Sequence, residues 1–201
     1  MVLLFATYEV YGKYFETKAA QAKLDTALDD KWERGRQQLQ DNTSATPQPL
    51  KEEELEIGDG VAKLYIPRVD NKWVVVEGEN PIDIKHAPGR FREGAMPGES
   101  GNFAIAGHRS PAIFWDLDLV QEGDYVGVET LDKWYLYQVY ETTVVTPDQY
   151  DVVEPDPNDP SRKLLTLITC TPKGNNTHRI VVHAELVREQ PYTDGKPSEL
   201  K

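Results

Sequence analysis

The chain of 201 residues holds a single cysteine, Cys170. One thiol excludes an intramolecular disulfide framework, so Cys170 is free unless it pairs between chains. That economy fits a cytosolic protein, and it fits equally a secreted one that keeps its thiol for chemistry. Positive charge is also scarce: 22 Lys and Arg stand against 34 Asp and Glu, a net charge of −12, and no run is basic. A nucleic-acid backbone is therefore excluded as a partner, because phosphate binding needs a cationic surface. Long apolar runs are missing too. The opening "MVLLFA" is six residues, far short of the roughly 20 that span a bilayer. It has neither a basic leader nor a small-residue cleavage site, so it is not an intact signal peptide. It reads either as the start of a buried helix or as the last turn of a membrane anchor lying outside this chain. No internal repeat is visible.

What is present describes one domain with appendages. Hydrophobic residues at 39% and charged residues at 28% are ordinary for a globular protein and too apolar for a disordered one. Residues 1–40 contain no proline, and Leu24, Leu28 and Trp32 recur at i, i+4 and i+8, which predicts a helical arm with one apolar face. Residues 41–54, "DNTSATPQPLKEEE", mix turn formers, two prolines and a charge run, and read as a linker. Over 55–190 the period changes. "VAKLYIP", "KWVVVEG", "NFAIAGH", "DYVGVET", "KWYLYQVYETTVV", "KLLTLITC" and "HRIVVHAEL" are short β-branched and aromatic runs separated by Gly, Pro, Asp and Asn. Seven or eight such strands predict an all-β closed barrel or sandwich with short helical turns, of which "FWDLDLV" is one. Residues 191–201 form a polar tail.

One loop stands apart. Residues 147–162, "PDQYDVVEPDPNDPSR", carry four prolines and five acids against one arginine. Proline lacks the N–H that a central strand needs, so this segment connects strands. It is either a solvated link or the wall of a substrate groove.

A nucleophilic cysteine needs a base or ion-pair partner, an oxyanion donor and exposure. Cys170 ends the strand "LLTLIT" and Arg179 opens the next, so antiparallel pairing brings a permanently charged guanidinium near the thiol. Among the histidines, His178 faces away from Arg179 on a strand, and His183 lies about 13 Å along from it at about 3.3 Å per residue. His86 sits in an irregular segment. His108, after "NFAIAG", remains as the base. At this level Cys170 is either a small core hydrophobe or this nucleophile.

Together "GNFAIAGHRS", "LTLITCTP" and "HRIVVHAEL", with "LYIPRVDNKWVVVEG" and "APGRFREGAMPGESG" upstream, resemble the sortase family, most like the class E housekeeping enzymes of actinobacteria. The resemblance spans about residues 58–187. It implies an eight-stranded sortase-type β-barrel and a cysteine transpeptidase. Such an enzyme cleaves a C-terminal sorting signal of the LAXTG or LPXTG type between Thr and Gly, holds the acyl part as a thioester, and passes it to a cell-wall amine. It implies His108, Cys170 and Arg179 as catalytic residues and Thr169 as lining the substrate site, with no cofactor and no metal. The partners it implies are surface proteins bearing the signal and a cell-wall precursor amine. The location it implies is the outer face of the membrane, held by an N-terminal anchor. The Asp-Pro lid motif of pilin-polymerising class C enzymes is absent from 41–54, which predicts an open site. The Q-A-C signature of caspases and the S-H-G-C signature of L,D-transpeptidases are absent as well. A class C or D sortase, or a non-enzymatic surface-binding module with a buried cysteine, is the alternative.

Overall fold

The computed structural model describes residues 2–41 and 55–201, with side chains over 11–38 and 55–201. Helix α1 runs Val2–Asp41. Eight strands follow: β1 Gly60–Ile66, β2 Asn71–Glu77, β3 Gly89–Arg90, β4 Gly101–Ala106, β5 Tyr125–Glu129, β6 Lys133–Val145, β7 Lys163–Thr171 and β8 His178–Pro191. They close into a barrel in the order β1-β2-β3-β4-β7-β8-β6-β5, with β5 returning to β1. All pairs are antiparallel except β2/β3 and β4/β7. Closure leaves no long open edge. The eighth strand, β3, is two residues long and carries no alternation, so the sequence pattern resolves only the other seven.

Alternate residues fill the barrel. Phe103 and Ile105 of β4, Leu165 and Leu167 of β7, and Ile180, Val182 and Ala184 of β8 all belong to one core cluster. The intervening positions therefore face outward. Several of these are also buried: Ala104 and Thr166 are both 0% exposed, as is Val181. The outer face of β4, β7 and β8 is thus covered at these positions. The acidic loop predicted over 147–162 contains a short 3₁₀ helix, Tyr150–Val153, that lies against β4. Arg162 closes that loop through Asp156 (2.7 Å) and Glu185 of β8 (2.6 Å). The loop therefore packs on the barrel as well as connecting β6 to β7.

The arm is fastened to β2. Leu28 and Trp32, 3% and 1% exposed, pack on Val74, which is the face that the i, i+4, i+8 spacing predicts. Because β3 is so short, Val74 has no strand neighbour on that side, and its backbone groups need other partners. Gln21 supplies them: its Oε1 accepts from Val74 N–H (2.8 Å) and its Nε2 donates to the Val74 carbonyl (3.2 Å). Lys63 of β1 adds ion pairs to Asp25 (2.7 Å) and Asp29 (2.6 Å). His86 also meets the arm, with Nδ1 3.3 Å from Thr17 Oγ1 and Nε2 3.4 Å from Glu16. It has no part in the grouping around Cys170.

The end of the chain is packed, although its composition is polar. Leu200 is 4% exposed against Trp134 and Leu136, and Arg188 holds Glu199 at 2.7 Å. The expected linker falls almost wholly on residues 42–54, which lie outside the described residues, as does the expectation that it leaves the site open. Among the described residues no helix is long and apolar enough to cross a membrane.

Candidate active site

The site is assembled at the C-terminal ends of β4 and β7 and the start of β8. β4 and β7 run parallel, with Ala106 opposite Ile168, and Gly107 N–H extends the ladder to the Ile168 carbonyl (3.0 Å). The next residues on the two strands' paths, His108 and Cys170, therefore come to one level. Gly107 is required there. A Cβ on it would stand 2.5 Å from the Phe114 ring, so only glycine lets the chain turn out of the barrel against that side chain.

On the other side of Cys170, β7 and β8 are antiparallel, and Cys170 is the direct cross-strand partner of Arg179. Such partners have Cα atoms about 4.5–5.5 Å apart and side chains on the same face. The connecting turn suits its sequence: Gly174 (φ 84°) and Asn176 (φ 57°) take the left-handed positions these residues tolerate. The Thr171–Pro172 peptide bond is cis.

Of the four residues singled out from the sequence, Cys170 and Arg179 thus share one face through direct pairing, His108 follows the same end of β4, and each of these three is half-buried. His108 Nε2 lies 3.2 Å from the Pro81 carbonyl oxygen. A carbonyl only accepts, so Nε2 carries hydrogen in that contact and Nδ1 is the nitrogen left for proton exchange. Arg179 Nη1 donates to the carbonyls of His178 (3.0 Å) and Asn176 (3.3 Å), which folds the guanidinium over the turn. Thr169 is the fourth, which the resemblance implies as lining the substrate site. It is 2% exposed and faces the barrel side, with Oγ1 donating to the Gly107 carbonyl at 2.6 Å. Its hydroxyl ties the cysteine strand to the residue before His108.

The other histidines stand as the strand geometry requires. His178 pairs with Thr171, one position beyond the thiol. His183 pairs with Thr166, four residues before Cys170, its Nδ1 3.0 Å from the Thr166 hydroxyl and its ring stacked on Tyr140 at 5.9 Å. Burial pushes the His183 pKa below its ordinary value, with Glu141 opposing the shift.

One residue that the sequence reading passed over is Arg109. Its side chain is 2% exposed and bonds three segments. Nη1 donates to the Cys170 carbonyl (3.2 Å), Nε donates to the Trp115 carbonyl (2.9 Å), and Nη2 pairs with Asp118 (2.6 Å). Asp118 also lies 3.4 Å from Lys173 on the β7–β8 turn, and Lys173 bonds Asp116 at 2.9 Å. The segment after His108 and the turn after Cys170 are thereby locked together. "HRS" followed by "DLD" holds the charges, yet only the fold shows that the arginine is buried.

A half-buried thiol, an imidazole at the same level and a fixed cation across one strand pair can carry out acyl transfer. A sortase-domain model matches residues 64–187. Sortase SrtE1 of Streptomyces coelicolor is 30% identical over the whole of this chain, which spans 57% of that relative's length. Among solved structures, sortase E from Streptomyces avermitilis superposes with a TM-score of 0.66 at 32% identity, covering 73% of this chain and 99% of that one. A Clostridium perfringens sortase D5 transpeptidase superposes at 0.69 and 29%, covering 85% and 99%. With its closed eight-stranded barrel and the Cys170–Arg179 strand pair, the chain belongs to the sortase family.

Proposed function

We propose that the chain is a cysteine transpeptidase that cuts a sorting signal of the LAXTG or LPXTG type between Thr and Gly and joins the acyl part to a cell-wall amine. The observation that carries this reading is the register of β7 and β8, which sets Arg179 directly across from Cys170. In this mechanism the thiol proton of Cys170 passes to His108, the thiolate attacks the Thr carbonyl carbon, and the C–N bond to Gly breaks as His108 passes that proton to the departing amine. The Arg179 guanidinium balances the charge on the tetrahedral oxygen. A second amine then attacks the thioester, its proton passing to His108 as the Cys170 thiolate leaves, and His108 returns that proton to the sulfur. Thr169 and Arg109 act through position, holding His108 and Cys170 at one level.

The working place is the outer face of the cell membrane, where signal-bearing proteins and wall precursors meet. The preference for LAXTG over LPXTG rests on similarity to class E enzymes. The test is to incubate the protein with paired LAXTG and LPXTG peptides, with and without glycine- or diaminopimelate-type amines, and to identify products by mass. Amine-dependent ligation products with the LAXTG peptide are expected. Preference for the proline peptide would remove the class E reading, and no product with either would remove the enzymatic one.

A further inference from the structure

Among the described residues the imidazole of His108 makes one hydrogen bond, to the Pro81 carbonyl 3.2 Å from Nε2. Pro81 lies on none of the strands that carry the site. It belongs to residues 78–88, which pass from β2 to β3 and add a short 3₁₀ helix, Asp83–Lys85, but no strand to the barrel. What holds this segment therefore decides where the carbonyl stands, and with it which nitrogen of His108 keeps the hydrogen.

Within itself the segment is a tight turn. Asn80 donates to Asp83 Oδ2 from its backbone N–H (3.2 Å) and from Nδ2 (3.0 Å), and the Asn80 carbonyl accepts from the N–H groups of Asp83 (2.9 Å) and Ile84 (3.1 Å). These bonds make residues 80–84 one piece, so a shift of the turn carries Pro81 with it.

The far end of that piece is fastened to α1. Gln21 Nε2 donates to the His86 carbonyl at 3.1 Å, and the same amide bonds both backbone groups of Val74. Thr17 Oγ1 lies 3.3 Å from His86 Nδ1, and Glu16 reaches His86 Nε2 at 3.4 Å and Lys85 at 3.7 Å. Glu16 is exposed and adds little. Thr17 and Gln21 are 6% and 8% exposed, so water cannot freely take their place.

These two residues also stand out by type. Thr17 and Gln21 continue the buried face that Leu24, Leu28 and Trp32 form further along the helix. An arm that only covered the barrel would be apolar there, because buried polar groups cost stability unless each is bonded. Here each is bonded to the His86 end of the turn, which ties the arm's register to the turn's position.

We propose, resting on the transpeptidase reading above, that α1 is a positioning element of the catalytic centre. Thr17 and Gln21 hold the turn through His86, and the turn's Pro81 carbonyl keeps hydrogen on His108 Nε2 and leaves Nδ1 open for proton exchange. His86 touches none of the reacting groups and is a positioning residue. Ile84, 6% exposed, gives the turn a second footing, so losing the arm's grip loosens the turn rather than releasing it. Trp32, about three turns further along α1 than Gln21, secures the arm to Val74 and takes no part in this relay.

The test compares the parent with Thr17→Val/His86→Leu, which removes the side-chain bond between turn and arm, and with Gln21→Glu, which keeps an acceptor for the Val74 N–H and loses the donor to the His86 carbonyl. His86→Asn, which keeps a polar atom at the Nδ1 position, is the conservative rescue. Trp32→Ala, which lowers stability without touching the turn, is the control. The first readout is nitrogen-15 NMR of the His108 ring, assigned by its loss in His108→Gln and recorded at about pH 9, where imidazole is neutral and its nitrogens report the tautomer. The parent is expected to carry hydrogen on Nε2, and the double variant and Gln21→Glu to show a mixture of tautomers. The second readout is turnover of a sorting-signal peptide. In the same two variants kcat is expected to fall about fivefold, the size of one net hydrogen bond, with KM unchanged, while His86→Asn retains most of the parental kcat. A parent with hydrogen on Nδ1, or His108 signals that stay at the parent's positions in both variants, would overturn the proposal. So would a fall in kcat of equal size in Trp32→Ala, or an effect on KM alone. A parent that cleaves no peptide, but whose His108 tautomer shifts in the double variant, would instead remove the transpeptidase reading and leave the positioning of His108 by the arm standing.

Discussion

Cys170 and Arg179 are nine positions apart in sequence and direct partners across β7 and β8. The thiol and the guanidinium therefore share a face of the barrel whatever the connecting turn does, and the cation is fixed because arginine stays protonated at any relevant pH. Arg179→Ala is expected to lower kcat/KM for a sorting-signal peptide by about 10²–10³, the usual effect of losing one preorganised oxyanion donor. Circular dichroism should show the fold intact. Arg179→Lys keeps the charge without the planar fork and should fall between the two. A loss below tenfold in Arg179→Ala would withdraw this residue from the site.

Arg109 offers a test of positioning. Replacing it with Met removes the donors to the carbonyls of Cys170 and Trp115 and leaves Asp118 with Lys173. Because Asp118 is 39% exposed, water takes up part of the loss, and a destabilisation of about 2 kcal/mol is expected rather than the larger cost of a fully buried pair. The rate should fall as well, with Arg109→Lys restoring part of it. Unchanged kcat/KM in a folded Arg109→Met protein would show that this clamp does not set the thiol's position.

The arm should behave as part of the folded unit. Trp32 is 1% exposed on Val74, and Trp32→Ala is expected to cost about 3–5 kcal/mol, read as a lowered Tm. Trp32 touches none of the residues grouped around Cys170, so peptide cleavage by the folded fraction should persist. A Tm equal to the parent's would mean that the arm contributes nothing to the barrel's stability.

His183 sets a pH window for stability. Burial holds its folded pKa below the ordinary 6.5, so below that pH the unfolded chain takes up a proton that the folded chain refuses. The contribution of His183 is fully present above pH 6.5 and is lost as the pH falls from there toward the folded value. Tm should decline over that window, and His183→Gln should flatten the decline. Carboxylates such as Asp124, held low chiefly by its hydrogen bond to Arg68, make their losses at lower pH. An identical slope in His183→Gln would assign the decline to other groups.

The parts of this molecule legible in sequence are those that repeat a simple period. Leu24, Leu28 and Trp32 give the arm's buried face, and the β-branched runs give seven strands nearly to their ends. The pairing of Cys170 with Arg179 is legible because one short turn joins their strands. What stayed hidden depends on neighbours far along the chain. β3 is too short to alternate, and Arg109 looks like a surface arginine until Asp118 and two carbonyls close over it. Thr169 enters the sequence reading through the family resemblance alone, and its bond to the Gly107 carbonyl is visible only in the fold.

Intact-mass spectrometry during turnover tests the central claim most directly, that Cys170 is the acyl-carrying nucleophile. With an LAXTG peptide and no added amine, the protein should gain the mass of the acyl fragment, fragmentation should place it on Cys170, and hydroxylamine should remove it. Cys170→Ala should remain folded and gain nothing. An acyl adduct on another residue, or peptide cleavage by Cys170→Ala, would contradict the account.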